Sequence, residues 1–275
     1  MIAAVMVILA VSVFSIGAVG RIVNGGETTV VRGQAFAVGE QSTRSRSGAV
    51  TLDDLAANKL VAEGAPAPRV DCPLPAVDTT EPGLLAFYQA ALTCLNATWQ
   101  PVLVARGLPF TVPRVTVTEW SSARCGFTPD EDEALAFYCP GDRMIAMPRD
   151  RMVRTADDNA GYHLAVLAHE YGHHLQLLSG LLEDAALLEA DLDEAGAAEV
   201  SRRAELQANC LAGVFLAAAA LTPELVDDAD SSFADTISSD SHGSAKNQVH
   251  WAAAGKQTTA PAACDTWSAP DHEVD

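Results

Sequence analysis

Apolar side chains recur along this chain at intervals that predict three long helices and a short region of strands. Between residues 159 and 179, Leu164, Val166, Leu167, Tyr171, Leu175 and Leu178 follow near-helical spacing. Asp157, Asp158 and Asn159 precede this run as good N-caps, and Gly180 follows where a left-handed terminating residue is expected. The pattern predicts a helix from about Asn159 to Ser179. A second helix is predicted over about 197–220, rich in Ala and Leu and stopped by Thr222-Pro223. A third covers about 80–106, with Leu85, Tyr88, Leu92, Leu95 and Trp99 along one side. Thr111 to Trp120 alternates as a strand, with Val115 and Val117 inward. Leu135–Cys139 and Arg143–Met147 flank Pro140-Gly141-Asp142 and read as a hairpin. The fold class expected is α+β, mainly helical with a small sheet.

The ends of the chain read differently. Residues 1–20 carry no charged side chain and are strongly apolar. About 20 residues at a rise of 1.5 Å reach roughly 30 Å, enough to cross a bilayer. This segment is expected to be a membrane anchor or a signal segment. Residues 21–70 have the Gly-, Ser- and Pro-rich composition of a flexible linker, with a short helix possible around Thr51 to Val61. The globular domain is expected over 71–268 and a tail over 269–275. About 200 residues suffice for one hydrophobic core.

Chemistry concentrates in the first helix, at Ala168-His169-Glu170-Tyr171-Gly172-His173-His174-Leu175-Gln176. This contains His-Glu-x-x-His. On a helix His169 and His173 lie about 40° apart, so both rings reach one metal ion, and zinc is the ion this pattern fits. Glu170 borders the same face, where a carboxylate suits a general base acting on a zinc-bound water. Catalytic zinc takes three protein ligands and leaves a position open. Glu205 on the second helix is the best candidate for the third, although several other Asp and Glu lie nearby. Asn209, one turn on, is placed to hydrogen-bond a ligand ring. His174 is turned about 100° from His173 and reads as a packing residue or a support for a ligand. His163 points elsewhere on the helix and reads as structural.

The pieces Tyr162-His163-Leu164 through Gln176, and Glu205-Leu206-Gln207-Ala208-Asn209-Cys210-Leu211-Ala212-Gly213, resemble the putative neutral zinc metallopeptidase family. Weaker matching pieces are Ala123-Arg124-Cys125-Gly126, Phe137-Tyr138-Cys139-Pro140-Gly141-Asp142 and Ser241-His242-Gly243-Ser244 with Trp251 and Gly255. That family resembles the gluzincins. The resemblance implies a zincin-like fold with the small sheet beside the active-site helix. It implies zinc on His169, His173 and Glu205, Glu170 as the base and a peptide or protein substrate. It also implies that His242 donates a hydrogen bond to the developing oxyanion. Two departures stand out. The family usually carries Asp at the position of Asn209, and an Arg after the His-Gly element, where this chain has Lys246, Asn247 and Gln248.

Six cysteines, Cys72, Cys94, Cys125, Cys139, Cys210 and Cys264, include no Cys-x-x-Cys pair, which speaks against a cysteine metal site. Their even number and sequence proximity suggest three disulfides: Cys72 with Cys94, Cys125 with Cys139, and Cys210 with Cys264. Arg21, Arg32, Arg44 and Arg46 after the apolar segment favour a cytoplasmic side for the rest of the chain. The cysteines favour the opposite, and they carry more weight. The domain is therefore expected outside the cytoplasmic membrane, anchored through residues 1–20 or secreted if they are cleaved. The net charge of −19 and sequence pI of about 4.5 argue against a nucleic-acid partner, which needs a basic surface. Two rival readings share the motif: a membrane-tethered, zincin-like binding module with little or no activity, and a zinc hydrolase of a non-peptide amide.

Overall fold

Capping side chains set the ends of the long helices. The Asn159 carboxamide accepts from the Tyr162 N–H at 2.8 Å, and Gly180 closes that helix in the left-handed region with φ 83°. Thr80 Oγ1 accepts from the Gly83 N–H at 3.2 Å, and the Asp193 carboxylate accepts from the Gly196 N–H at 3.0 Å. The second predicted helix therefore starts at Glu194, a little before the apolar pattern suggests.

The computed structural model describes residues 49–125, 129, 134–234 and 241–275. Among them the order is α1 (Leu52–Ala56), β1 (Val70–Asp71), α2 (Glu81–Ala105), β2 (Arg114–Thr116), β3 (Phe137–Cys139) and β4 (Met144–Ala146). Then come α3 (Arg149–Ala156), α4 (Ala160–Ser179), α5 (Leu181–Ala190), α6 (Glu194–Ala218), β5 (Ala219–Ala220), α7 (Pro223–Ala234) and α8 (Ala245–Thr258). The fold is mainly helical with a small sheet, as expected. The sheet order is β2-β4-β3, with β2 parallel and β3 antiparallel to β4, so Pro140-Gly141-Asp142 does form a hairpin turn. A two-residue parallel pair joins β1 to β5. The strand expected over Thr111–Trp120 is regular only at Arg114–Thr116, since Pro113 offers no N–H and Thr118 turns back onto the Thr116 hydroxyl.

The core is built around α4. Of its residues only Ala160 and Leu177 reach even intermediate exposure. α2, the sheet, α6 and α7 all pack against it. Two helix crossings bring backbones into contact. At α4–α6 a Cβ on Gly172 would stand 2.9 Å from the Ala208 Cα. At α6–α8 a Cβ on Gly213 would stand 2.0 Å from the Ala252 carbonyl oxygen, and one on Gly255 would stand 2.0 Å from that of Cys210. Disulfides join Cys72 to Cys94, Cys125 to Cys139 and Cys210 to Cys264, the pairing suggested by proximity.

Two boundaries are corrected. Within the expected linker, Val50, Leu55, Leu60, Val61 and Ala67 are buried in the main core, so the packed domain begins before residue 71. Small residues there gave the segment a tether's composition, but the scattered Leu and Val still cover apolar surface. The expected tail is also packed. Val274 is buried, Trp251 Nε1 donates to the Glu273 carbonyl at 2.8 Å, and the Ser244 N–H donates to the Asp275 carbonyl at 2.9 Å. The apolar segment 1–20 and most of the linker lie outside the described residues. Among the described residues no helix is long and apolar enough to cross a membrane.

The α6–α8 contact leads to a stability prediction. Gly213→Val has no room and should cost about 3 kcal/mol or more. Gly107→Ala meets no atom within 4 Å and is limited only by its φ of 64°, so it should cost about 1–2 kcal/mol. Urea unfolding of both variants reads the difference, and equal losses would contradict the close crossing.

Candidate metal centre

A helix buried on all sides must account for every polar side chain it carries. α4 carries His163, His169, Glu170, His173, His174 and Gln176, all buried. His163 and His174 are satisfied alike. Each places Nε2 against a backbone carbonyl, of Asp157 at 2.9 Å and of Thr111 at 2.7 Å. A carbonyl only accepts, so in both rings Nε2 carries the proton. Nδ1 then accepts from a tyrosine hydroxyl, Tyr88 at 2.6 Å and Tyr138 at 2.7 Å. Burial lowers both pKa values, that of His174 to about 4, so they remain neutral. They fasten α4 to α2 and to the sheet, in keeping with the packing roles read from their helical angles.

In His169 and His173 it is Nδ1 that donates to a fixed acceptor. The His169 Nδ1–H donates to the Asn209 carboxamide oxygen at 2.8 Å, and the His173 Nδ1–H donates to Gln176 Oε1 at 2.9 Å. Both Nε2 atoms are thereby turned inward, 3.2 Å from each other. Glu205 Oε2 completes a triangle, 3.1 Å from His169 Nε2 and 3.3 Å from His173 Nε2. A tetrahedral zinc site with bonds of about 2.0–2.1 Å has ligand-to-ligand edges of about 3.3–3.4 Å. The three donor atoms therefore fit a zinc ion in spacing as well as in type. Asn209 orients His169 as an aspartate would, without adding charge.

The electrostatics favour positive charge at this point. Burial opposes a charge on His173, yet the adjoining Glu205 carboxylate outweighs it and raises its pKa to about 9. Burial likewise opposes the charge of Glu205, but the His173 and His242 imidazoles hold its pKa well below the usual range. His169 is lowered by burial. His173 thus holds a second proton, on the nitrogen that faces Glu205. Glu170 is the buried carboxylate of α4. Both its oxygens are buried without a hydrogen-bond partner, and burial pushes its pKa up to about 8. His173 and the Tyr138 backbone amide pull the other way, that amide falling short of hydrogen-bond geometry.

His242 also arrives at this point. Its Nε2 is 3.6 Å from Glu205 Oε2, and its Nδ1 is 2.8 Å from the Ser241 hydroxyl. The backbone amide of Tyr138 faces Glu170 rather than β4, so the outer edge of β3 borders the centre. The structure thus brings together His169, Glu170, His173, Glu205, Asn209 and His242. Two contributors escaped the sequence reading. Gln176 lies three residues after His173, a helical spacing that signals contact. Glu189 sits in an acidic run that reads as solvated, yet it is half-buried on α5, and burial followed by the charge of Glu205 raises its pKa to about 7.

Comparison with known proteins agrees with this geometry. An uncharacterized protein of Mycobacterium tuberculosis is 30% identical over 210 residues, covering 64% of this chain and 68% of the relative. A protein of Mycobacterium bovis, also uncharacterized, matches to the same extent. The uncharacterized protein YpfJ of Escherichia coli is 29% identical over 136 residues, covering 47% of this chain and 46% of its own length. No solved structure matches the chain. The sequence profile of the family described as "Putative neutral zinc metallopeptidase" matches residues 75–237, more than half of the chain and a span that holds all three metal-facing donors, and the protein belongs to that family.

Proposed function

We propose that this protein is a zinc-dependent peptidase that binds zinc through His169, His173 and Glu205 and uses Glu170 as general base. The observation that carries this reading is the triangle of three inward-facing donor atoms beside a buried, unpartnered carboxylate. Zinc in such a donor set is a Lewis acid that polarises a carbonyl and lowers the pKa of water to about 7. Glu170 takes the proton of the attacking water and passes it to the leaving amine; burial already raises its affinity for that proton. His242 donates a hydrogen bond from Nε2 to the oxyanion as it forms. The outer edge of β3 offers the Tyr138 amide to an extended substrate backbone. The substrate is a peptide or protein. Three disulfides support a site of action outside the cytoplasm, tethered or released according to the fate of residues 1–20. A second reading, a zinc-binding module without turnover, is favoured by the near-complete burial of His169, Glu170, His173 and Glu205.

Elemental analysis of the purified full chain should find close to one zinc per chain, with a marked loss in Glu205→Ala. No zinc in folded wild type would sink the reading. Glu170→Gln should retain the metal and lose about 10²–10⁴-fold in kcat on peptide substrates. Unchanged hydrolysis by that variant would remove Glu170 from the chemistry, and no turnover by either form would favour the binding module.

Metal uptake should also release a proton. In the metal-free protein His173 titrates at about 9, so at pH 7 it is charged, and zinc binds only the neutral ring. Calorimetry at pH 7 in buffers of different ionisation enthalpy should report close to one proton released per zinc. Affinity should fall as pH drops below 9 and level off above it. Binding independent of pH between 6 and 8 would contradict the proton's role.

A further inference from the structure

Behind His173 runs a line of amides whose direction is fixed at two points. Gln176 Oε1 accepts from the His173 Nδ1–H at 2.9 Å. Gln176 Nε2 donates to the Ala204 carbonyl at 2.8 Å and to Gln207 Oε1 at 3.0 Å. Gln207 Nε2 donates to the Cys264 carbonyl at 3.0 Å. Backbone carbonyls only accept, so neither glutamine amide can be reversed without setting two oxygens against each other. With Gln176 held in this sense, Nδ1 of His173 must keep its proton, so Nε2, which faces Glu205 and His169, is the nitrogen that can give up its proton to bind a metal. His173, Gln176 and Gln207 are at most 1% exposed, so water cannot replace a lost partner.

We propose that Gln207 and Gln176 are positioning residues for the metal ligand His173, acting as a relay anchored on the Cys264 carbonyl. The proposal rests on the zinc reading above. The anchor is itself fixed, because Cys264 is disulfide-bonded to Cys210 on α6. Cys210 follows Asn209, which orients His169. Both ligand imidazoles are thus held from behind by amides that lead to one covalent link. No contact joins Gln207 to a ligand directly; its influence passes through Gln176. A purely space-filling role makes a distinct claim, since methionine at 207 matches the length of glutamine and would leave the metal undisturbed.

The test is zinc affinity of the full chain, measured by competition with a chelating dye, for wild type, Gln207→Met, Gln176→Met and the double variant. Removing such supporting hydrogen bonds typically weakens metal binding about 10–100-fold, and each single variant is expected in that range. Both act through one bond at His173 Nδ1, so the double variant should lose no more than about threefold beyond the weaker-binding single. Wild-type affinity in folded Gln207→Met overturns the relay alone. Absence of zinc from wild type overturns the relay and the peptidase reading together. Imidazole ¹⁵N spectra of zinc-loaded wild type need no substitution: His173 should show a protonated Nδ1 and a metal-bound Nε2, and the reverse overturns the proposal.

Discussion

Everything at the candidate metal centre depends on how near α4 and α6 approach each other. Imidazole and glutamate side chains have fixed reach, so edges of 3.1–3.3 Å between His169, His173 and Glu205 require one backbone separation. Gly172 against Ala208 sets it, because a side chain on Gly172 would collide with the α6 backbone. The same device recurs behind α6, where Gly213 and Gly255 let α8 press close and bring Ser241 and His242 to the centre. Small residues at both crossings forgo apolar side-chain burial. In return, α6 is held between two neighbours with little room to shift.

Within that frame the histidines of α4 divide by tautomer. His163 and His174 turn their lone pairs to tyrosine hydroxyls, and His169 and His173 turn theirs to a shared point. A hydrogen-bond accounting of this one helix therefore separates fastening from chemistry without reference to any metal. Glu170 differs from all four: its unpaired, buried carboxylate opposes folding by about 1–3 kcal/mol or more. Glu205 and Glu189 bring further negative charge to the same neighbourhood, so the centre repels itself until a cation or proton enters. Local instability of this kind is expected where residues are arranged for reaction.

Much of this was legible in the sequence where a local rule had a local cause. Asn159 and Gly180 bound α4 where the pattern placed them, because cap chemistry needs only a few neighbouring residues. The imidazole pair followed from helical periodicity. Glu205 needed the family resemblance, since periodicity alone does not choose among carboxylates on another helix. α3, α5, α7 and α8 went unread, because helices of 8 to 14 residues offer few turns over which an apolar pattern can repeat, and they owe their stability to docking. Leu55 and Leu60 were hidden by their Gly- and Pro-rich surroundings. The Gln176–Gln207 contact was beyond reach, because it exists only once two helices lie side by side.

The placement of the donors in α4 and α6 has a consequence for the order in which the molecule is made. His169 and Glu205 are separated by 36 residues, most of that span helical, so joining them closes a short and largely stiff loop. Contacts this local form early in folding, whereas the pairing of Val70 with Ala219 and the bond from Cys210 to Cys264 await distant segments. During synthesis from the N-terminus, all three donors emerge before the His242 loop and the Cys264 anchor. A metal ion captured at that stage would staple α4 to α6 and favour the native crossing over competing compact forms. The three donors thus meet through local contacts, and His242 and Cys264 reach them from further along the chain.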